Sequence, residues 1–214
     1  MRDFLRSLPV FAGPVQEFGP AEVPVEPTEL FGRWLREAVS GGVREPHAMT
    51  LSTCDSAGEP DARVLILKDL DEQGWWFATN AKSVKGSQLT DCPAAALTFY
   101  WPQVARQVRV RGPVITGEPD VCASDFLSRG IGARAVALAS AESTPLDSRA
   151  SCQRAVADAR QRLNENPDWV SPTWRVYAVA AHVVEFWQAD TDRMHVRVQY
   201  RRRADGWHHT LLWP

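Results

Sequence analysis

The chain has 214 residues, of which 44% are apolar and 23% charged, enough to bury the core of one globular domain without disulfide or metal staples. Its formal net charge of -2, from 24 basic and 26 acidic residues, excludes the broad positive field of a general nucleic-acid binder. Its apolar runs fall short of the roughly 20 residues of a membrane helix, and its N-terminus lacks the form of a signal peptide, so we expect a cytoplasmic protein without nucleic-acid or membrane partners.

The first 27 residues carry five prolines among scattered acidic residues. Prolines at this density disfavour regular structure, so the composition predicts an extended, Pro-rich arm at 1–27 and a single folded domain at 28–214. The domain begins with a predicted amphipathic helix that has Thr28 as its N-cap and ends at Gly41-Gly42. The apolar stripe of this helix consists of Leu30, Phe31, Trp34, Leu35, Ala38 and Val39.

Short runs rich in β-forming residues follow, separated by turn-forming clusters. The predicted strands are 48–54, 62–68, 75–80, 95–101, 104–110, 113–116, 175–189 with an interruption, 194–202 and 206–213. A short helix is predicted at 82–91, and the region 118–165 is helical with a break at Pro145. Many antiparallel strands with a few interposed helices favour a mainly β (α+β) fold, an antiparallel barrel decorated by helices.

The three lysines of the chain, Lys68, Lys82 and Lys85, fall within 18 residues of one another, whereas all other basic residues are arginine. Two of them lie where the strand end Thr79-Asn80 leads into the short helix. Free N–H groups at a helix start, together with hydroxyl groups and a lysine, form a pocket for an anion such as a phosphate. A solvated lysine patch with an ordinary serine cap is the alternative.

A second set of polar residues follows the strand near residue 195. Alternation along a strand places Arg193, His195 and Arg197 on one face. This face is either an anion-binding surface or a solvated cationic one. The nine tryptophans of the chain could supply walls for a planar ring ligand, although most are expected in the core.

The four cysteines, Cys54, Cys92, Cys122 and Cys152, are at least 30 residues apart and form no CxxC motif. This spacing lacks the pattern of a zinc site. It predicts four reduced thiols.

Five segments occur in the order RVLILKDLDEQGWWFATNAKSVKGSQL, FYWPQVARQVRVRG, SRGIGA, VEFWQADTDRMHVRVQY and LLWP. From Glu45 to Pro214 the chain thereby resembles the pyridoxamine 5'-phosphate oxidase family. The resemblance implies a split β-barrel homodimer with FMN at the subunit interface. It also implies that a small-molecule substrate gives a hydride to FMN and that dioxygen reoxidises the flavin, releasing hydrogen peroxide.

The resemblance also assigns roles to individual positions and implies no metal ligand. The cofactor-binding residues would be Arg63, Val64, Leu65, Lys68, Ala78, Thr79, Ser83, Lys85, Gln107, Ser143, Trp187 and Arg197. The substrate-binding residues would be Lys68, Arg129, Arg193 and His195, of which Arg193 and His195 would also be catalytic.

The chain departs from the family pattern mainly where a substrate phosphate would bind. Asp125 stands in place of a tyrosine, and a short deletion after Arg129 removes a serine. On the cofactor side, Val84 replaces an arginine and Glu142 replaces a glutamine. We therefore expect a pyridoxine or pyridoxamine 5'-phosphate oxidase. The alternatives are an FMN-dependent oxidase of a non-phosphorylated aromatic ring, of the phenazine type, and a non-catalytic flavin-binding protein.

Overall fold

The computed structural model describes residues 1–11 and 18–214. The helices are α1 (Arg2–Ser7), α2 (Pro27–Ser40), α3 (Val84–Asp91), α4 (Pro119–Ser128), α5 (Ile131–Ala139) and α6 (Arg149–Glu165), with 3-10 turns at Pro20–Glu22 and Pro102–Val104. The strands are β1 (Ala48–Cys54), β2 (Pro60–Ile66), β3 (Asp69–Leu70), β4 (Trp75–Asn80), β5 (Ala94–Trp101), β6 (Arg106–Thr116), β7 (Trp174–Val179), β8 (Val183–Gln188), β9 (Val196–Arg203) and β10 (Gly206–Leu212).

The strands form one antiparallel sheet that curls into a split barrel. Its main path is β10-β9-β8-β6-β5-β1-β2, and β6 also joins β7, which pairs with β4 and then β3. The predicted strands 104–110 and 113–116 are one long strand, because β6 pairs with β8 through Arg106–Arg111 and with β7 through Val114–Thr116. Gly112 lies where β6 changes its partner strand from β8 to β7. The backbone of Ala180 passes so close there that a Cβ on residue 112 would lie 2.2 Å from the Ala180 carbonyl oxygen. The predicted fold class is confirmed.

Helix α2 closes the barrel with its apolar face. Leu30, Phe31, Trp34 and Ala38 are buried against the inner face of the sheet, and the Phe31 ring meets the Phe99 ring at a centroid distance of 4.8 Å. The amphipathic pattern is therefore confirmed, but Thr28 is not the N-cap. The N-cap is Glu26 and the helix begins at Pro27, two residues earlier than a cap at Thr28 implies, because the first helical position needs no N–H and suits the fixed φ of proline.

The predicted extended arm is wrong in its details. Residues 2–7 form α1, which has no buried residues. Further along, the Phe18 ring meets Trp34 at 5.0 Å between centroids, and the Tyr200 hydroxyl donates to the Pro24 carbonyl at 2.8 Å. Burial raises the pKa of Tyr200 to about 12, so this hydroxyl stays a donor. Part of the segment therefore packs on the barrel, while a domain boundary at residue 28 stays a prediction.

Within the described ranges, no helix combines the length and the apolarity needed to cross a bilayer.

Candidate functional site

The start of α3 forms the first part of the site. Ser83 is its N-cap, fully buried, and its hydroxyl accepts from the Gly86 N–H at 3.2 Å while donating to the Asn80 carbonyl at 2.7 Å. Gly86 packs directly on the end of β4, where a Cβ would lie 2.4 Å from the Ala81 carbonyl oxygen. The helix start and the strand end are thereby held together, as the pattern of serine and lysine indicated.

The loop after α5 closes over this helix start. Lys85 Nζ lies 3.2 Å from a Glu142 carboxylate oxygen, and the Val84 N–H points to the Ser143 hydroxyl at 3.5 Å. Ser143 adopts a left-handed backbone with φ of 67°. The structure thus brings Ser83, Lys85 and Ser143 together, although Ser143 is about sixty positions away in sequence, and it turns Glu142 towards the lysine.

The resemblance relates Lys68, Asp125 and Arg129 to the binding of a substrate phosphate. In the structure these residues contact one another or Trp174. Lys68 Nζ lies 3.5 Å from Asp125 Oδ1, and the Trp174 indole N–H donates to Asp125 Oδ2 at 2.8 Å. The Arg129 guanidinium stacks on the Trp174 ring at 4.2 Å. Asp125 therefore forms an ion pair with Lys68, which the resemblance assigns to substrate binding.

Arg129 is the most constrained of these charges. Desolvation lowers the pKa of Arg129, while the charges of Asp125 and Glu142 oppose that shift. Its Nε is buried without a hydrogen-bond partner in the described part of the chain. Arg129 thus carries an unused donor between two carboxylates.

A cleft of about 800 Å³ opens beside Lys68 and Asp125. Its charged lining is mostly acidic: besides Lys68, it consists of Asp69, Asp71, Glu118, Asp120 and Asp125. We call it the acidic cleft. A phosphate dianion entering it would meet several like charges, which disfavours binding.

A second group lies across β6, β8 and β9. Gln107 pairs with Trp187, and Trp187 pairs with Arg197, so the three predicted cofactor residues form one row. The row beside it contains Arg109, Glu185 and Gln199.

The buried Glu185 positions Arg197. Its Oε1 accepts from Arg197 Nε at 3.1 Å and Nη2 at 2.8 Å, and the third guanidinium nitrogen donates to the Trp213 carbonyl at 2.8 Å. Glu185 is not among the predicted site residues, although a carboxylate between apolar residues of a buried strand was the available signal.

Arg193 and His195 do not lie on a strand face, which corrects the prediction. The strand starts only at Val196, and Arg193 is exposed in a tight turn with φ of 65°. The chain turns here because Asp190 accepts the Arg193 N–H at 3.1 Å. His195 Nδ1 accepts the Asp190 N–H at 3.1 Å, and its ring lies 4.8 Å from the Trp187 ring. His195 therefore still joins the second group.

The remaining predicted residues lie on β2 and β4. Arg63 Nη1 donates to Thr53 Oγ1 at 2.6 Å, and Val64 is exposed. Leu65 and Ala78 are partly buried and pack on apolar clusters, and Thr79 is buried. We call Ser83, Lys85, Glu142 and Ser143 the α3 group. Among the described residues, no hydrogen bond or ion pair joins the α3 group to the Gln107-Trp187-Arg197 row.

Two family models match the chain. Residues 35–163 match pyridoxamine 5'-phosphate oxidase, and residues 174–214 match the pyridoxine 5'-phosphate oxidase C-terminal dimerisation region. The chain belongs to the pyridoxamine 5'-phosphate oxidase family. The resemblance is thereby confirmed, and the chain is an oxidoreductase of a family whose members depend on FMN.

Relatives cover nearly the whole chain. The chain is 37% identical to a pyridoxine/pyridoxamine 5'-phosphate oxidase of Paraburkholderia phymatum, over 91% of this chain and 92% of that protein. It is 41% identical to the enzyme of that name from Ralstonia pickettii, over 87% of each chain.

Solved structures agree with the family assignment. PhzG from Burkholderia lata, solved in complex with tetrahydrophenazine-1-carboxylic acid, is 30% identical and superposes with a TM-score of 0.89 over 94% of this chain and all of that one. A family-related FMN-binding protein from Nostoc punctiforme superposes with a TM-score of 0.70 at 17% identity, over 92% of this chain and 99% of that one, which supports the fold alone.

Proposed function

We propose that this family member is an FMN-dependent oxidase that takes a hydride from a reduced aromatic ring carrying no phosphate group. When bound, FMN accepts the hydride and is reoxidised by dioxygen, which releases hydrogen peroxide. The observation that carries the substrate assignment is the charge of the acidic cleft, in which Asp125 lies 3.5 Å from Lys68 and four further carboxylates line the walls.

The α3 group suits the phosphate of FMN. The start of α3 offers the positive end of the helix dipole, and its Val84 N–H makes only a long 3.5 Å contact with the Ser143 hydroxyl. Lys85 and Ser143 add an ammonium and a hydroxyl. Lys85 has three N–H donors, of which Glu142 takes one. Lys85 and Ser143 would therefore hold the phosphate, with Glu142 weakening the site.

The second group suits a flavin ring. Gln107, Trp187 and Arg197 present an amide, an indole and a guanidinium in one row, and these groups hydrogen-bond to or stack on planar rings. No hydrogen bond or ion pair between described residues of one chain joins the two groups, and residues 174–214 match a dimerisation region. We therefore propose a homodimer in which each FMN site is completed by both subunits.

The acidic cleft supports the choice of an unphosphorylated substrate. A ring without a phosphate avoids the repulsion from Asp125 and its acidic neighbours. The 30% identical PhzG was solved with a reduced tricyclic carboxylic acid of this kind.

Oxidation of pyridoxine or pyridoxamine 5'-phosphate is the second candidate. It is favoured by the names of the 37% and 41% identical relatives and by the retention of Lys68, Arg129, Arg193 and His195. Under this candidate Asp125 would have to release Lys68 when the phosphate enters.

Substitution of Asp125 by asparagine separates the two candidates. The amide keeps an acceptor for the Trp174 indole but removes the charge that occupies Lys68. We expect the KM for pyridoxamine 5'-phosphate to fall by about 5- to 30-fold, which corresponds to roughly 1 to 2 kcal/mol for a partly exposed charge pair. The KM for an unphosphorylated reduced ring should change little, and steady-state peroxide release measures both values.

Asp120→Asn is the matched control, because Asp120 lines the same cleft without contacting Lys68. An Asp125→Asn enzyme whose KM for the phosphorylated compound equals that of Asp120→Asn would contradict the role given to Asp125.

Arg193 and His195 are proposed to act on the substrate and not to hold the flavin. Alanine at either position should leave the yellow colour of the bound flavin and reduce turnover at least tenfold, a loss of about 1.4 kcal/mol or more in transition-state stabilisation. Absorbance of the purified variants and single-turnover flavin reduction measure the two properties. Met194→Ala, an exposed neighbour, is the control. Colourless variants would place these residues in the flavin site instead.

A further inference from the structure

Two cysteines that are distant in sequence meet at the C-terminal end of α3. The Cys54 and Cys92 sulfurs are 3.2 Å apart, where the end of β1 passes the end of α3. Both side chains are free thiols and partly exposed. A disulfide bond is about 2.05 Å long, so the sulfurs need to approach by only about 1 Å.

We propose that Cys54 and Cys92 form an oxidation site at which hydrogen peroxide converts the two thiols into a disulfide. The Cys92 sulfur, as thiolate, attacks one peroxide oxygen. The O–O bond breaks, and the leaving hydroxide takes up a proton to become water. Cys54 then attacks the Cys92 sulfur of the resulting sulfenic acid, the S–O bond breaks and a second water leaves. One peroxide is thus reduced to two waters while two thiols are oxidised.

The hydrogen bond between the thiols sets this order. The Cys54 S–H donates to the Cys92 sulfur, so Cys92 is the acceptor of the pair. The same hydrogen bond, aided by burial and by the nearby Cys92 and Asp55, raises the pKa of the Cys54 thiol. The raised pKa makes Cys54 less reactive towards peroxide than an ordinary thiol, because the thiolate is the reactive form of a cysteine.

The thiol pair adjoins the residues that hold Arg63. Thr53, next to Cys54, donates to the Gln88 side chain at 2.6 Å, and the Cys92 N–H donates to the Gln88 carbonyl at 2.7 Å. Arg63 donates to the side chains of both Thr53 and Gln88. A disulfide would therefore fasten covalently the same β1–α3 junction that positions Arg63, a proposed cofactor residue.

The source of the oxidant rests on the proposed function, under which each turnover releases hydrogen peroxide. The oxidation site itself does not depend on turnover, because peroxide can be added directly.

The remaining cysteines differ in setting: Cys122 is buried, and Cys152 lies partly exposed on α6. Cys152 is therefore the matched control.

The experiment treats the reduced full-length protein, without substrate, with an equimolar amount of hydrogen peroxide. Free thiols are then counted, and peptides are analysed by mass spectrometry without reduction. We expect the loss of two thiols per chain, a peptide linked through Cys54 and Cys92, and full recovery of both thiols on reduction. Cys152→Ser should behave like the unmodified protein. Cys54→Ser should form no intramolecular disulfide and should leave a trappable sulfenic acid at Cys92.

Four free thiols after treatment would overturn the proposal, as would a disulfide involving Cys122 or Cys152 or one between chains. Because no substrate is present, these results do not depend on whether the proposed oxidase activity is correct.

Discussion

Replacing Glu37 by alanine is expected to lower the free energy of unfolding by about 2 to 4 kcal/mol, because it leaves the buried guanidinium of Arg106 without its carboxylate partner. Arg106 is only 2% exposed. Its Nε donates to Gln188 at 2.7 Å, its guanidinium stacks on Trp34 at 4.3 Å, and its charge is balanced by Glu37 alone among the described residues. The range lies below that of a fully buried pair because the Glu37 side chain is 32% exposed.

Urea denaturation followed by tryptophan fluorescence measures this loss. Glu29→Ala on the same helix is the control, since Glu29 forms only a surface ion pair with Arg33 at 3.8 Å; its effect should stay below about 0.5 kcal/mol. Glu37→Gln, which keeps an acceptor for Arg106, should lose less than Glu37→Ala. Equal midpoints for the Glu37→Ala and Glu29→Ala proteins would mean that Arg106 does not depend on Glu37.

Lys85→Met should weaken FMN binding by about 1.5 to 3 kcal/mol, a roughly 10- to 150-fold higher Kd, because a charge-assisted contact to the phosphate is lost. The loss also frees the Glu142 carboxylate, which Lys85 neutralises at 3.2 Å. Glu142→Gln should act in the opposite direction and tighten FMN binding. Quenching of flavin fluorescence on titration with protein measures both changes.

Lys82→Met provides the control, since Lys82 is exposed three residues before Lys85. Its Kd for FMN should stay within about threefold of the unmodified protein. If Lys85→Met and Lys82→Met bound FMN equally well, the phosphate site would not lie at the start of α3.

The spacing of apolar residues predicted those helices and strands in which this spacing alone determines the buried face. The β1 and β4 bounds are as predicted, and α2 begins two residues before its predicted start. These elements are predictable because alternating or helical apolar residues decide which face is buried. The long β6 was predicted as two strands because Gly112 and Pro113 normally signal a turn. Here β6 continues through both residues and changes its partner from β8 to β7. The close approach of Ala180 to Gly112 is a tertiary contact, which the local sequence does not show.

In the candidate site, too, local contacts were predictable from the sequence and contacts between distant residues were not. Ser83 was found at a helix start because its cap is a local contact. The pair of Lys68 with Asp125 joins residues 57 positions apart in sequence, and the pair of Lys85 with Glu142 joins residues equally far apart. No local pattern encodes such contacts, since they depend on how α4, α5 and β4 pack. The turn that removes Arg193 from the strand face likewise depends on a backbone hydrogen bond to Asp190.

Anaerobic reduction of the flavin by candidate substrates tests the proposed function most directly. The protein is loaded with FMN, mixed without dioxygen with either pyridoxamine 5'-phosphate or tetrahydrophenazine-1-carboxylic acid, the ligand of the PhzG structure, and the visible flavin band is followed. We predict rapid bleaching by the reduced tricyclic acid and slow or no bleaching by the phosphorylated compound. Rapid bleaching by pyridoxamine 5'-phosphate, with none by the tricyclic acid, would contradict the proposal.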